Sequence, residues 1–201
     1  MAYKFSRDFF DRAMTFGEYM SLTEKLVSEK RTTGTEQTTD RIELTKLNLQ
    51  RMKRIYKTTE LIPEWNELFA KKDIKHKWIV ISEPWCGDNA NTIPVLAKIA
   101  EAMGGIDLRI ILRDENPDVM NEYLTDNTKS IPVLIMLDGE FNEFGVWGSR
   151  PAELKNFVKE FKSVPGYDSD ELKKQIQMWY INDKTVSAQK EIYSAIINSE
   201  K

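Results

Sequence analysis

Along the 201-residue chain the spacing of apolar residues changes twice, dividing it into three stretches. Up to about residue 73 the apolar positions recur at helical spacing. In EYMSLTEKLVSEK (18–30), Tyr19, Leu22, Leu26 and Val27 fall roughly on one face. In RIELTKLNLQRMKRIYK (41–57), Ile42, Leu49, Met52 and Ile55 form a stripe, as in a helix with one buried side. The Thr-rich segment 32–40 between them reads as a loop, with Asp40 placed to cap the second helix. Pro63 in LIPEWNELFAKK suits the first turn of a further helix.

At Trp78 the pattern becomes continuous. WIVIS (78–82), LRIIL (108–112) and VLIML (133–137) are short, almost wholly apolar runs, as strands covered on both faces require. Between them lie NANTIPVLAKIAEAMGG (89–105), an amphipathic helix ending in glycine, and the short helix NPDVMNEYL (116–124). Asp138-Gly139 is a turn signal, and EFNEFGVW (140–147) alternates as its hairpin partner. Helical spacing returns in PAELKNFVKEF (151–161) and in two more helices around a break at Asn182-Asp183-Lys184. The order β-α-β-α-β-β-α between helical flanks predicts an α/β fold. The whole of 1–201 reads as a single domain: a helical extension (1–73), a core (74–162) and a second helical extension (163–201).

Composition narrows the function classes. A hydrophobic share of 41% and a charged share of 30% describe a soluble globular chain. With 29 Lys and Arg against 32 Asp and Glu, the net charge of -3 gives no basic excess for nucleic acid or an anionic membrane. No apolar run approaches the ~18–20 residues of a membrane span. The start, MAYKFSRDFFDRAMTF, is charged every few residues and shows no secretory signal. The expected location is cytoplasmic.

The candidate chemistry sits in WCGDN (85–89), which holds the single cysteine, Cys86, between a buried strand and a helix start. Unpaired N–H groups and the helix dipole there favour a thiolate, the reactive form. Trp85 shields one side and Gly87 allows the tight turn. Glu83 and Asp88 work against the thiolate, so activation is expected to be modest at most. Asp88 is better placed to charge the helix start than to do acid–base chemistry. His76, the single histidine, precedes the strand at its opposite end, so no Cys–His dyad is expected. One Cys and one His also leave a protein-only metal site unsupplied.

An ordered set of flanking residues resembles the thioredoxin superfamily over roughly residues 76 to 162. Pro94 lies eight residues after Cys86, where thioredoxins carry a helix proline, and PVLAKIAE continues that helix. Asp114 with Asn116-Pro117 is similar to the D-x-N-P turn. Ser130-Ile131-Pro132-Val133 resembles the cis-proline segment, and Gly148, Leu154 and Phe157 resemble the site-facing glycine and last helix. Over nearly the whole chain, LNLQRMKRI, WCGD, LRDENP, SIP, WGSRP and MWY look like a bacterial thioredoxin-like group with a Trp-Cys-Gly-Asp motif. In that group Ala commonly stands where this chain has Asn89. The resemblance implies a central mixed β-sheet flanked by helices. It also implies a site of Cys86 with Trp85, Gly87, Asp88, Asn89, Ile131, Pro132, Trp147, Gly148 and Arg150 around it.

Departures from thioredoxin limit the chemistry. Asn89 replaces the second cysteine and Val80 the buried Asp that serves it, so the resolving step of a dithiol reductase is missing. Three readings stay open. The first is a monothiol redox protein, with Cys86 as nucleophile, a protein or small-molecule disulfide as partner, and glutathione or another low-molecular-weight thiol resolving it. The second is a binding module that holds a peptide along the cis-proline edge. The third is an iron–sulfur carrier, for which only Cys86-Gly87 matches the motif of monothiol glutaredoxins. Arg113 and Arg150 are candidate cations for an anionic ligand, or partners of Asp114, Asp88 or Glu115.

Overall fold

The three continuous apolar runs become neighbouring strands. In the computed structural model, which describes residues 3–71 and 74–199, β1 (His76–Ser82), β2 (Ile106–Leu112), β3 (Val133–Leu137) and β4 (Glu143–Gly148) form one sheet in the order β2-β1-β3-β4. The Lys72-Asp73 part of the expected boundary before the core lies outside the described residues, as do Met1 and Ala2. β1 runs parallel to β2 (Val80 opposite Ile110) and antiparallel to β3 (Val80 opposite Leu134). The β3–β4 hairpin turns at Asp138, whose carboxylate accepts the N–H groups of Glu140 and Asn142 at 2.8 and 2.9 Å. β1 and β3 are the inner strands, and covering both of their faces is why their sequences do not alternate.

Helices cover both sides of the sheet. On one face Trp78, Val80, Leu134 and Met136 pack against α5 (Gly87–Met103) and against α3 (Thr39–Thr58), α4 (Pro63–Lys71) and α9 (Val186–Ser199). On the other, Ile79, Ile81, Val133 and Ile135 meet Phe10 of α1 (Arg7–Arg12) and Val119 and Met120 of α6 (Pro117–Glu122). A third cluster joins α7 (Ala152–Ser163) to α8 (Ser169–Asp183) through Leu154, Val158, Leu172 and Ile176. Tyr19 of α2 (Phe16–Ser28), Met52 of α3 and Ile192 of α9 share the apolar cluster of α5, so both extensions contribute to the core that holds the candidate site.

Two helix starts differ from expectation. Thr38, not Asp40, caps α3, its hydroxyl accepting the Arg41 N–H at 3.4 Å. α5 begins at Gly87, two residues earlier than its apolar spacing suggests, which makes Cys86 itself the N-cap. The helix ends at Gly104 in the left-handed conformation, and a Cβ on Gly105 would come 1.7 Å from the Ile74 carbonyl oxygen.

Candidate functional site

Cys86 follows β1 and faces the loop that leads into β3. Its thiol donates to the Ile131 carbonyl at 3.5 Å, and the Ile131–Pro132 peptide bond is cis. The sulfur lies at the N-terminus of α5, where the backbone N–H groups of Asn89 and Asp88 stabilise a negative charge on it, and Arg150 adds to that effect. Burial and then the Asp88 carboxylate act in the other direction and prevail: the thiol pKa is pushed up to about 12. Modest activation, the expectation from position alone, is therefore replaced by deactivation. The residue keeps some exposure, but the packed side chains around it desolvate the thiolate more than the helix start stabilises it.

Of the two acids next to the sulfur in sequence, only Asp88 acts on it as a charge, and that charge is shared. Arg150 clamps Asp88 with Nε at 2.9 Å and Nη2 at 2.6 Å, and the Tyr180 hydroxyl of α8 donates to the same carboxylate at 3.0 Å. Burial works to lower the Arg150 pKa, yet Asp88 more than offsets it and the guanidinium is held above its ordinary value. Arg113 pairs with Asp114 at 2.8 Å. Both candidate cations are thus occupied by carboxylates. Glu83 turns into a buried pocket where it accepts from the Thr33 hydroxyl and from the Asp114 N–H at 2.9 Å. Burial raises its pKa despite those two donors.

Asn89 fills the place beneath the sulfur with hydrogen bonds in place of a thiol. Its Nδ2 donates to the Ser82 hydroxyl at 2.7 Å and to the Glu83 carbonyl at 2.8 Å, and Tyr19 meets the same Ser82 oxygen at 2.8 Å. The Asn89 Oδ1 is buried and has no partner among the described residues. Val80, in the position of the thioredoxin aspartate, is fully buried among apolar side chains.

The first extension braces the WCGDN loop. Asn48 of α3 donates to the Pro84 carbonyl at 2.9 Å, and Arg41 and Arg113 place their guanidinium carbons 4.5 and 4.7 Å from the Trp85 ring centroid. A Cβ on Gly87 would lie 3.9 Å from Arg51 Nη1 and 3.4 Å from Gln177 Nε2 of α8. Asn48, Arg41 and Gln177 escaped sequence reasoning. They join the loop across tens of residues, and helical spacing marks them only as polar faces.

Expected neighbours of the sulfur divide. Trp85, Gly87, Asp88, Asn89, Ile131, Pro132 and Arg150 gather around it, though the Trp85 ring is already covered by cations. Trp147 turns to the opposite side, buried against α9 with its indole N–H donating to Glu191 at 2.6 Å. Gly148 lies against the cis-proline: a Cβ there would come 2.2 Å from the Pro132 carbonyl oxygen. Beside Gly148 and Val133 a cleft of about 440 Å³ opens along β4, bordered by Tyr123, Leu124 and Val146. Among the described residues, no three His, Cys, Asp or Glu side chains converge to hold a metal, and no helix is long and apolar enough to cross a membrane.

Comparison with known proteins agrees with the fold. A family model described as Thioredoxin matches residues 34–162. No curated protein matches the sequence. Two solved structures share the fold over nearly their full length. One is a crystal structure of an HIV epitope scaffold, 16% identical, covering 98% of this chain and 99% of its own, with a TM-score of 0.64. The other is a protein of unknown function from Pseudomonas aeruginosa, 18% identical, covering 94% and 95%, with a TM-score of 0.60.

Proposed function

Because the chain belongs to the thioredoxin family yet keeps its one thiol at about 12, we propose that it is a docking module, holding an extended segment of a protein partner along the edge from Pro132 to β4. The observation that carries this reading is the cleft beside Gly148 and Val133. It continues the cis-proline loop along the outermost strand, with Leu124 and Val146 exposed by 41% and 46%. An added strand finds backbone partners on such an edge and an apolar pocket for alternate side chains.

Magnitudes set docking ahead of turnover. At pH 7 a thiol at about 12 is ionised to roughly one part in 10⁵, some three and a half orders of magnitude below a free cysteine. The greater nucleophilicity of a more basic thiolate recovers roughly one and a half orders. The remaining deficit is about 100-fold against an ordinary thiol, where a redox catalyst needs a gain.

One observation favours a second reading, slow monothiol exchange resolved by glutathione or another small thiol: the sulfur keeps some exposure beside two helix-start N–H groups. One experiment separates the two. A photocrosslinking residue replaces Leu124, and complexes formed in the host cell are recovered from the parent protein, from Cys86→Ser and from Val146→Lys. Docking predicts capture by the first two and loss with Val146→Lys. Complexes that form without irradiation, need Cys86 and are released by dithiothreitol would make exchange the function and overturn docking.

A further inference from the structure

A second cleft, of about 590 Å³, opens where the end of α3 and the linker 59–62 meet Asn91 of α5 and the turn between α8 and α9. Its walls are largely apolar, with Ile55, Leu61, Ile62, Ile181 and Val186 among them. The linker is fixed in place by Gln189 of α9, whose side chain accepts the Ile62 N–H at 3.0 Å and donates to the Glu60 carbonyl at 3.0 Å.

The charge around this cleft is unbalanced. Arg54 and Lys184 line it, and neither meets a carboxylate among the described residues. Their surroundings make that notable: Lys53 pairs with Glu24 at 2.7 Å, and Arg41 with Glu36 at 2.8 Å. Arg51, one turn before Arg54, has Asn48 Oδ1 at 3.0 Å as its partner and no acid. Burial, followed by repulsion from Arg54, holds the Arg51 pKa below its ordinary value. The acid in the lining is Glu60, an exposed residue whose carbonyl is taken by Gln189.

An apolar cavity with two unpaired cations is complementary to a small molecule with an apolar body and an anionic head. Its volume lies within the ~300–1,000 Å³ usual for small-ligand pockets. A carboxylate or phosphate there would give Arg54 and Lys184 charge-assisted hydrogen bonds. We propose that this cleft binds a small organic anion, its head held by Arg54 and Lys184 and its body covered by the wall of Ile55, Ile62 and Val186.

The test titrates the full chain with octanoate, octyl phosphate, octanol and inorganic phosphate, following backbone amide resonances. The expected result is saturable binding of one or both octyl anions, with shifts centred on Thr59, Asn91 and Lys184. Octanol and inorganic phosphate, each lacking half of the ligand, are expected to bind at least about ten-fold more weakly. The Arg54→Gln/Lys184→Gln double variant removes charge from exposed rim positions and is expected to weaken the anions by at least about ten-fold with an unchanged circular dichroism spectrum. The octanoate and octyl phosphate arms separate a carboxylate ligand from a phosphate ligand. No saturation with either anion, or equal binding by the double variant, overturns the proposal.

Discussion

Around Cys86 a few interactions of opposite sign decide whether the thiol can ionise, and Asp88 is the one most easily changed. Its carboxylate raises the thiol pKa, whereas the Arg150 clamped to it acts in the opposite direction. Asp88→Asn deletes the first effect and leaves the second unopposed. The thiol pKa is expected to fall by at least about one unit, seen as a roughly three-fold faster reaction with iodoacetamide at pH 8 once the weaker nucleophilicity of a less basic thiolate is counted. The change also leaves Arg150 without its anion in a largely buried setting, so a loss of about 2 kcal/mol in denaturant unfolding should accompany it. A reaction rate equal to that of the parent protein would show that burial alone governs the thiol. This pair also marks the limit of sequence reading at the residue scale. Arg150–Asp88 was legible as one of several pairings, but Tyr180, 92 residues further along, had no local signal tying it to that carboxylate.

At the scale of elements, the strands were legible because burial on both faces writes an unbroken apolar run, and β1, β2 and β3 fall where WIVIS, LRIIL and VLIML lie. Ends were less legible. β1 starts two residues earlier at His76, and α5 reaches back to Gly87, since polar residues at an element's end carry no periodicity. The six-residue α1 left no separable pattern either, being barely two turns long. The junction of β4 with α7 depends on one glycine. Gly148 has a φ of 150° and no room for a Cβ against the Pro132 carbonyl. Gly148→Ala is expected to cost roughly 3 kcal/mol in urea unfolding through a backbone clash. Gly166 serves as the control: it also has a positive φ, 75°, but nothing within 4 Å, and its replacement by Ala should cost only about 1 kcal/mol.

For the molecule as a whole, His76 links stability to pH. It is partly buried at the start of β1 against the Phe144 ring, with its Nδ1 unpartnered among the described residues, and burial lowers its pKa to about 4 despite Asp138. The folded state therefore resists a proton that the unfolded chain accepts near 6.5. The contribution is complete above pH ~6.5 and is lost as pH falls towards 4, with no further change below that. A loss of roughly 2 kcal/mol is expected over this window, after allowing for partial solvent screening, and should vanish in His76→Gln. If both proteins show the same pH profile between 7 and 4, the group responsible lies elsewhere.

The clamp on Asp88 has a consequence in time. Tyr180 and Asp88 are 92 residues apart, so at a ribosomal rate of about 5–20 residues per second the acid leaves the ribosome roughly 5–20 s before its hydroxyl partner is made. Gln177, which Asn91 meets at 3.3 Å, is similarly late. Throughout that interval the sheet can form with the surroundings of Cys86 incomplete. The nascent chain therefore carries a thiol less desolvated, and more readily ionised, than the one the finished protein presents.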